Sequence, residues 1–301
     1  MAEARHDHEF KEISRRKLWL VLGINLAFLV IEAIGGFLAH SLALLADAGH
    51  MLTDVAALGL ALFVSYLAAR PPTQRRTFGF LRAEVLGAMV NAASLFLIAG
   101  LIVREAAARI SQPQPVTGPL VLFVAAAGLL ANLGSAMVLR KRRRENVNIH
   151  AAFIHMVADA LGSVAAIVSG AVVWATGWYP IDPIMSVAIC GLIVYGSWGL
   201  FKQTTNILLE TVPEEIDFLE VKNAIEAMQA VAKVHDLHIW TISSGIHVLT
   251  GHLVLCKECC EPEHWEQCRQ AVEDMLRSKF AISHTTLQLE FIECDRECSL
   301  Y

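Results

Sequence analysis

Two short stretches carry side chains able to hold a metal: Ala46-Asp47-Ala48-Gly49-His50-Met51-Leu52-Thr53-Asp54 and His155-Met156-Val157-Ala158-Asp159. Each contains a His followed four residues later by an Asp. On a helix that spacing puts imidazole and carboxylate on one face. Two such helices laid face to face offer two nitrogens and two oxygens to one centre, a donor set suited to tetrahedral zinc. On a soluble helix the same pair would ordinarily be a surface hydrogen bond. Here both pairs lie in long apolar segments, where an ionisable group costs about 2.5–3.5 kcal/mol at mid-helix. A divalent cation neutralises both aspartates and takes both imidazoles, so His50, Asp54, His155 and Asp159 are the candidate ligands. Asp47, three residues before His50 and close to the same face, is an accessory candidate.

The elements that must position these residues are membrane spans. The chain has 301 residues, of which 55% are hydrophobic and only 18% charged, and its mean hydropathy is +0.50; this is the composition of a polytopic membrane protein. Six apolar segments can be marked, at about 17–39, 42–69, 84–107, 117–140, 149–176 and 182–204, each near the roughly 20 residues needed to cross a bilayer. Glu32, Asp47, Asp54 and Asp159 interrupt them, and Asn25, Asn91, Asn132, Ser135 and Ser163 add polar groups at the same depth. Basic residues cluster before the first span (Arg5, Lys11, Arg15, Arg16, Lys17), between the second and third (Arg70, Arg75, Arg76, Arg82) and between the fourth and fifth (Arg140 to Arg144). The opposite connections are nearly free of them, with Arg109 the main exception. Both termini are therefore expected in the cytoplasm. The run Lys141–Arg144 reads as a stop-transfer flank, and no nucleic-acid partner is expected. The polar N-terminus shows no cleavage-site pattern, so insertion is expected to rest on the spans themselves.

Charge divides the chain. Residues 1–204 hold 17 Lys and Arg against 12 Asp and Glu, whereas residues 205–301 hold 7 against 17. The expected organisation is a short cytoplasmic segment at 1–16, a six-helix membrane domain at 17–206 and an acidic soluble domain at 207–301. Periodicity in the last predicts helix at 214–230, strands at 234–242 and 246–255, helix at 262–280 and a strand at 285–292. Fewer than 100 residues give a modest core, so docking, metal or dimerisation is expected to support it. Six of the seven cysteines fall in this tail (Cys256, Cys259, Cys260, Cys268, Cys294, Cys298), together with His235, His238, His247, His252, His264, His284 and Glu290. The crowding favours a soft-metal site, although Cys256–Cys259 has no second C-x-x-C to complete a zinc ribbon.

These stretches resemble the cation diffusion facilitator family, in its zinc-transporting branch, over nearly the whole chain. The resemblance is carried by residues 41–54 of the second span, by Thr77-Phe78-Gly79-Phe80-Leu81-Arg82-Ala83-Glu84 leading into the third, and by residues 155–163 of the fifth. It implies six transmembrane helices, a ferredoxin-like cytoplasmic tail, a homodimer, and export of a divalent metal in exchange for protons. It further implies that His50, Asp54, His155 and Asp159 form the transport site. In the tail, His235, His252 and Glu290 match a regulatory metal site, and Cys294 and Cys298 match terminal ligands that some members add. Arg82 and Glu210 match a charge interlock at the junction of membrane and tail. The chain departs from the family at Gln288, where some members have His or Asp, and at Arg75 and Arg76, where some have histidines.

The chemistry then runs as a competition. Metal binding requires neutral imidazole and ionised carboxylate, so loading Zn²⁺ expels the protons those ligands held, and imidazole titrates near cytoplasmic pH. A site that opens alternately to each side lets a proton gradient drive metal outward. An enzyme is not expected: no H-E-x-x-H occurs, and four protein ligands leave no open position for water. No organic cofactor is expected. A membrane-anchored metal sensor or scaffold without flux, and an exporter of Cd²⁺ or Co²⁺, are the alternatives. The membrane expected is a bacterial cytoplasmic one.

Overall fold

The computed structural model describes residues 23, 26–68, 70–140, 147–243, 245–256 and 262–290. Eight helices and three strands appear among them. Six helices come first: α1 over the described residues Leu26–Ala39, α2 Leu42–Ala68, α3 Arg82–Ser111, α4 Gly118–Arg140, α5 Val147–Thr176 and α6 Ile181–Leu208. Then follow α7 Phe218–Glu226, β1 Val231–Ser243, β2 Ile246–Leu255, α8 Pro262–Phe280 and β3 Ile282–Glu290. The chain divides into two compact units, residues 1–60 with 90–199, and residues 61–89 with 200–301.

Among the described residues three helices are long and apolar enough to cross a membrane, within Arg82–Ser111, Met156–Thr176 and Ile181–Leu208. The described apolar stretches of Leu26–Ala39 and Gly118–Gly134 are shorter.

The core of the first unit is built from small residues. Ala39, Ala43, Ala46, Ala99, Ala125 and Ala166 pack with Leu44, Val121, Val124, Val173 and Ile189. Small side chains let helix backbones approach closely where burial against lipid supplies no driving force. The closest approach is between α4 and α5: a Cβ on Gly118 would meet Trp174 N at 2.7 Å, and one on Gly170 would meet Leu122 N at 2.7 Å. Large apolar side chains point outward instead, including Phe37, Phe123, Leu130, Trp174 and Tyr195. That inversion suits a lipid environment.

The turn from α1 into α2 is held from a distance. His40 takes a positive φ of 55°, Ser41 Oγ accepts from Leu44 N at 3.3 Å, and the buried Asp182 at the start of α6 accepts from Ser41 Oγ and from Leu42 N, both at 2.6 Å. Ser169 on α5 donates to the same carboxylate at 2.9 Å. Arg109, the basic residue that breaks the charge pattern, donates to His40 O at 2.6 Å and pairs with Glu105.

In the second unit, β1 and β2 pair antiparallel, β2 and β3 pair parallel, and the order is β1-β2-β3. A parallel pair needs a long crossover, and α8 supplies it. Pro262 opens α8, a position where the missing N–H costs nothing. Val221 and Ile225 of α7, Val234, Ile239, Leu249 and Leu253 of the sheet, and Val272 and Leu276 of α8 close the core.

The helix expected at 214–230 is shorter than its apolar spacing suggests. Asp217 caps it, accepting from Leu219 N and Glu220 N, and the helix ends at Ala227. A carboxylate that satisfies two orphan N–H groups fixes the start more firmly than hydrophobic period does. The first strand begins three residues earlier than expected, and the third begins at Ile282. Residues 291–292 of the predicted third strand lie outside the described residues.

Candidate metal centres

Helices α2 and α5 bring three of the first set of candidates together, His50, Asp54 and Asp159. His50 Nε2 lies 3.5 Å from Asp54 Oδ2, one turn along α2, and 3.4 Å from Asp159 Oδ1 on α5. Both separations exceed the roughly 2.9 Å of a good N–H···O bond. They match the edge of a tetrahedron with metal–ligand bonds of about 2.0–2.1 Å, which is about 3.3–3.4 Å. Asp159 is buried, His50 and Asp54 half-buried. Thr53 donates to His50 O at 2.7 Å, a local bond that ties the helix on which the ligands stand. His155 lies on α5 four residues before Asp159, and its side chain falls outside the described residues. Asp47 is buried, and a Cβ on Gly162 of α5 would stand 3.0 Å from its Oδ1.

The tail gathers a second set. Cross-strand pairing sets His235 opposite His252 and His252 beside Gln288. Glu290 reaches between the two imidazoles, with Oε2 2.9 Å from His235 Nε2 and Oε1 2.9 Å from His252 Nδ1. One ligand atom from each of His235, His252 and Glu290 lies within 4.8 Å of the others, a spacing that fits a small divalent ion. Gln288 donates from Nε2 to Glu290 Oε1 at 2.8 Å, so it orients the carboxylate. Cys294 and Cys298, with Cys259 and Cys260, lie outside the described residues. Cys268 is buried in the core of the second unit, a packing role.

Asp236 went unremarked in the sequence. It sits at a β-bulge with φ 48°, its Oδ1 3.0 Å from His238 Nε2 and its Oδ2 3.7 Å from His252 Nε2. The His-Asp-Leu-His spacing alone gives no sign of it, because only the bulge turns this carboxylate to the histidine side.

Burial works against the Glu290 charge, yet hydrogen bonds from His235 and Gln288 and the nearby charges of His252 and His235 outweigh it. The carboxyl therefore sits below its ordinary value of 4.5. A depressed carboxyl adds stability that is fully present above the unfolded value and disappears as pH falls through the folded one. Metal-free protein is thus expected to lose tail stability below pH 4.5, and Glu290→Gln to flatten that part of the profile. Unfolding midpoints followed from pH 7 down to pH 3 check this; identical slopes for both chains would contradict it.

Elsewhere in the second unit, Arg82 pairs with Glu210. Ser243 donates to Glu84 at 2.6 Å, and Phe78 meets the His284 ring edge-on at 5.9 Å. The segment leading into α3 therefore touches the same unit as the sheet.

Comparison with known proteins agrees with this layout. A family model described as the cation efflux transmembrane domain matches residues 18–209. One described as the cation efflux protein cytoplasmic domain matches residues 213–291. The zinc transporter ZitB of Shigella flexneri is 40% identical over 97% of this chain and 93% of its own length. The metal cation efflux system protein CzcD of Cupriavidus metallidurans is 37% identical over 97% of this chain and 92% of its own. The cadmium, cobalt and zinc/H(+)-K(+) antiporter of Bacillus subtilis is 37% identical over 94% and 91%. With both halves matched in order along one polypeptide, the chain belongs to the cation efflux family.

Proposed function

We propose that this chain exports Zn²⁺ in exchange for protons, through a site made by His50, Asp54, His155 and Asp159. The observation that carries the reading is the His50 imidazole, set 3.4 and 3.5 Å from two carboxylates on two helices, which is ligand spacing rather than hydrogen-bond spacing. The relatives named as a zinc transporter and as a cadmium, cobalt and zinc antiporter support it. In this reading six helices cross the membrane within residues 17–206, a bacterial cytoplasmic membrane holds the protein, and residues 1–16 and 207–301 face the cytoplasm. The tail is a ferredoxin-like fold that shows no first strand among the described residues, and two chains pair through it, as the match to a family model of the dimerising cytoplasmic domain suggests.

The four side chains do the work. Asp54 and Asp159 supply negative charge that a divalent cation neutralises; His50 and His155 must shed any proton before they bind. Metal and proton are competing ligands of one site, so each metal bound on the cytoplasmic side releases protons there, and each metal lost outside lets protons bind. Rocking of α2 against α5 then exchanges the two across the bilayer. In the tail, His235, His252 and Glu290 are the residues that would hold a resident metal, which would cross-link β1, β2 and β3.

Two imidazoles and two carboxylates select Zn²⁺ over oxygen-preferring ions. His50→Asp is therefore expected to lower the preference for Zn²⁺ over Cd²⁺ or Mn²⁺ by about tenfold, read as relative uptake of competing ions into vesicles. Unchanged relative uptake would remove His50 from the site.

A further inference from the structure

Basic and aromatic side chains that the metal sites leave unused gather on the segment between α2 and α3. Residues 55–83 contain four arginines, Arg70, Arg75, Arg76 and Arg82, and no Asp or Glu. Arg82 pairs with Glu210. The other three are exposed, as are Tyr66 and Phe78. Arg82 also opens α3, a helix long and apolar enough to cross a membrane. The segment therefore stands where such a span leaves the bilayer.

These residues close into a turn. Thr73 N donates to Arg76 O at 3.0 Å, Arg76 N donates back to Thr73 O at 2.9 Å, and Gly79 N donates to the same Arg76 carbonyl at 2.9 Å. Gly79 takes a φ of 64°, and a Cβ there would stand 3.8 Å from Arg70 O, so the two ends of the turn meet. Two guanidinium groups lie over rings: Arg76 is 4.4 Å from the centroid of Phe80, and Arg70 is 5.1 Å from that of Tyr66. Arg70 also donates to Tyr66 Oη at 3.4 Å. Stacking of this kind uses the face of the guanidinium. Its N–H edge can still meet two oxygens of a phosphate at once. Orientation of a span needs only positive charge nearby, whereas a closed turn that seats guanidinium groups on rings also supplies a binding geometry.

We propose that residues 70–80 form a headgroup site for an anionic phospholipid, with Arg75 and Arg76 on its phosphate and Arg70 adding charge beside them. Two features select a lipid over a free anion. The turn adjoins the start of a span, which is headgroup depth, and clustered arginines at that place attract anionic headgroups. Tyr66 and Phe78 present exposed rings there, of the kind that settle at the boundary of membrane and water. A free phosphate ion would use the arginines and gain nothing from those rings.

Native mass spectrometry of the full-length chain in detergent, titrated with phosphatidylglycerol, reads the dissociation constant of the tightest lipid site. Each arginine near an anionic lipid surface is worth about fivefold in affinity, so R75Q/R76Q is expected to weaken that site about 30-fold. Binding of phosphatidylcholine should not change. R104Q removes an exposed arginine near the other end of α3 and is expected to keep the tight site. An unchanged constant in R75Q/R76Q, or an equal loss in R104Q, overturns the proposal. Inorganic phosphate that binds as tightly as phosphatidylglycerol would also overturn it, by assigning the arginines to a free anion. If R75Q/R76Q does not elute as a folded chain, F80L decides: it removes the ring under Arg76 with no change of charge and is expected to weaken phosphatidylglycerol binding about threefold. An unmoved constant in F80L overturns the proposal.

Discussion

Asp159→Ala is expected to reduce zinc flux at least about 100-fold while the protein still folds. Partners outside a metal's ligand shell already cost 10–100-fold when removed, and in the proposed site Asp159 is itself a ligand, 3.4 Å from His50 Nε2. Folding should survive, because the substitution removes a buried charge and leaves His50 its partner on α2, Asp54. Zinc uptake into proteoliposomes, paired with a thermal unfolding curve in detergent, checks both halves. A variant that transports normally would show that the two helices meet for packing only, and one that fails to fold would show that the contact is structural.

Asp182→Ala is expected to act in the opposite way, through stability. The carboxylate is fully buried and accepts from Ser41 Oγ, Leu42 N and Ser169 Oγ. Removing it strands two hydroxyls and the first free N–H of α2 in an apolar interior, at a cost of about 3–5 kcal/mol. Asp182→Asn keeps one acceptor oxygen and should cost about half as much, since charged acceptors bind more strongly than neutral ones. Unfolding midpoints of the three proteins in detergent order the effect: unsubstituted, then Asn, then Ala. Equal midpoints would contradict the role given to Asp182. Because this carboxylate ties the start of α2 to α5 and α6, zinc flux should fall along with stability, unlike in Asp159→Ala, where zinc binding and flux fall while the fold survives.

The contrast between these two acids shows what the sequence makes legible. Asp54 and Asp159 are visible because each stands four residues after a His inside an apolar run, a local pattern with a chemical meaning. Asp182 stands beside Pro180 and Pro183 at the end of a span, where an acid looks like an ordinary interface residue. Its role depends on Ser41, some 140 residues away, and no local spacing records such a pairing. Glu32 is similar: one acid in an apolar helix is easily noticed, but its approach to Gly128, beside Ser163, exists only once α1, α4 and α5 have packed. Arg109 breaks the charge bias for a reason that lies in the carbonyl of His40.

In the tail, alternation and turn residues locate the strands because one sheet face is buried against α7 and α8. The ends of α7 were harder, since Asp217 caps the helix inside a stretch whose apolar spacing continues on either side. The parallel pairing of β2 with β3 follows from the intervening α8, yet its register, which sets His252 beside Gln288 and Val254 beside Glu290, is a tertiary fact. His235, His252 and Glu290 come together through the pairing of β1 with β2 and of β2 with β3. Asp236 was hidden because a bulge, rather than strand alternation, directs it.

Zinc movement into sealed proteoliposomes under an imposed pH difference tests the account most directly, comparing the unsubstituted chain with His155→Ala. The account predicts zinc accumulation against its own gradient, abolished when the pH difference is collapsed and absent in His155→Ala. Zinc that binds the tail without crossing the membrane, or that crosses equally well with no pH difference, would contradict it.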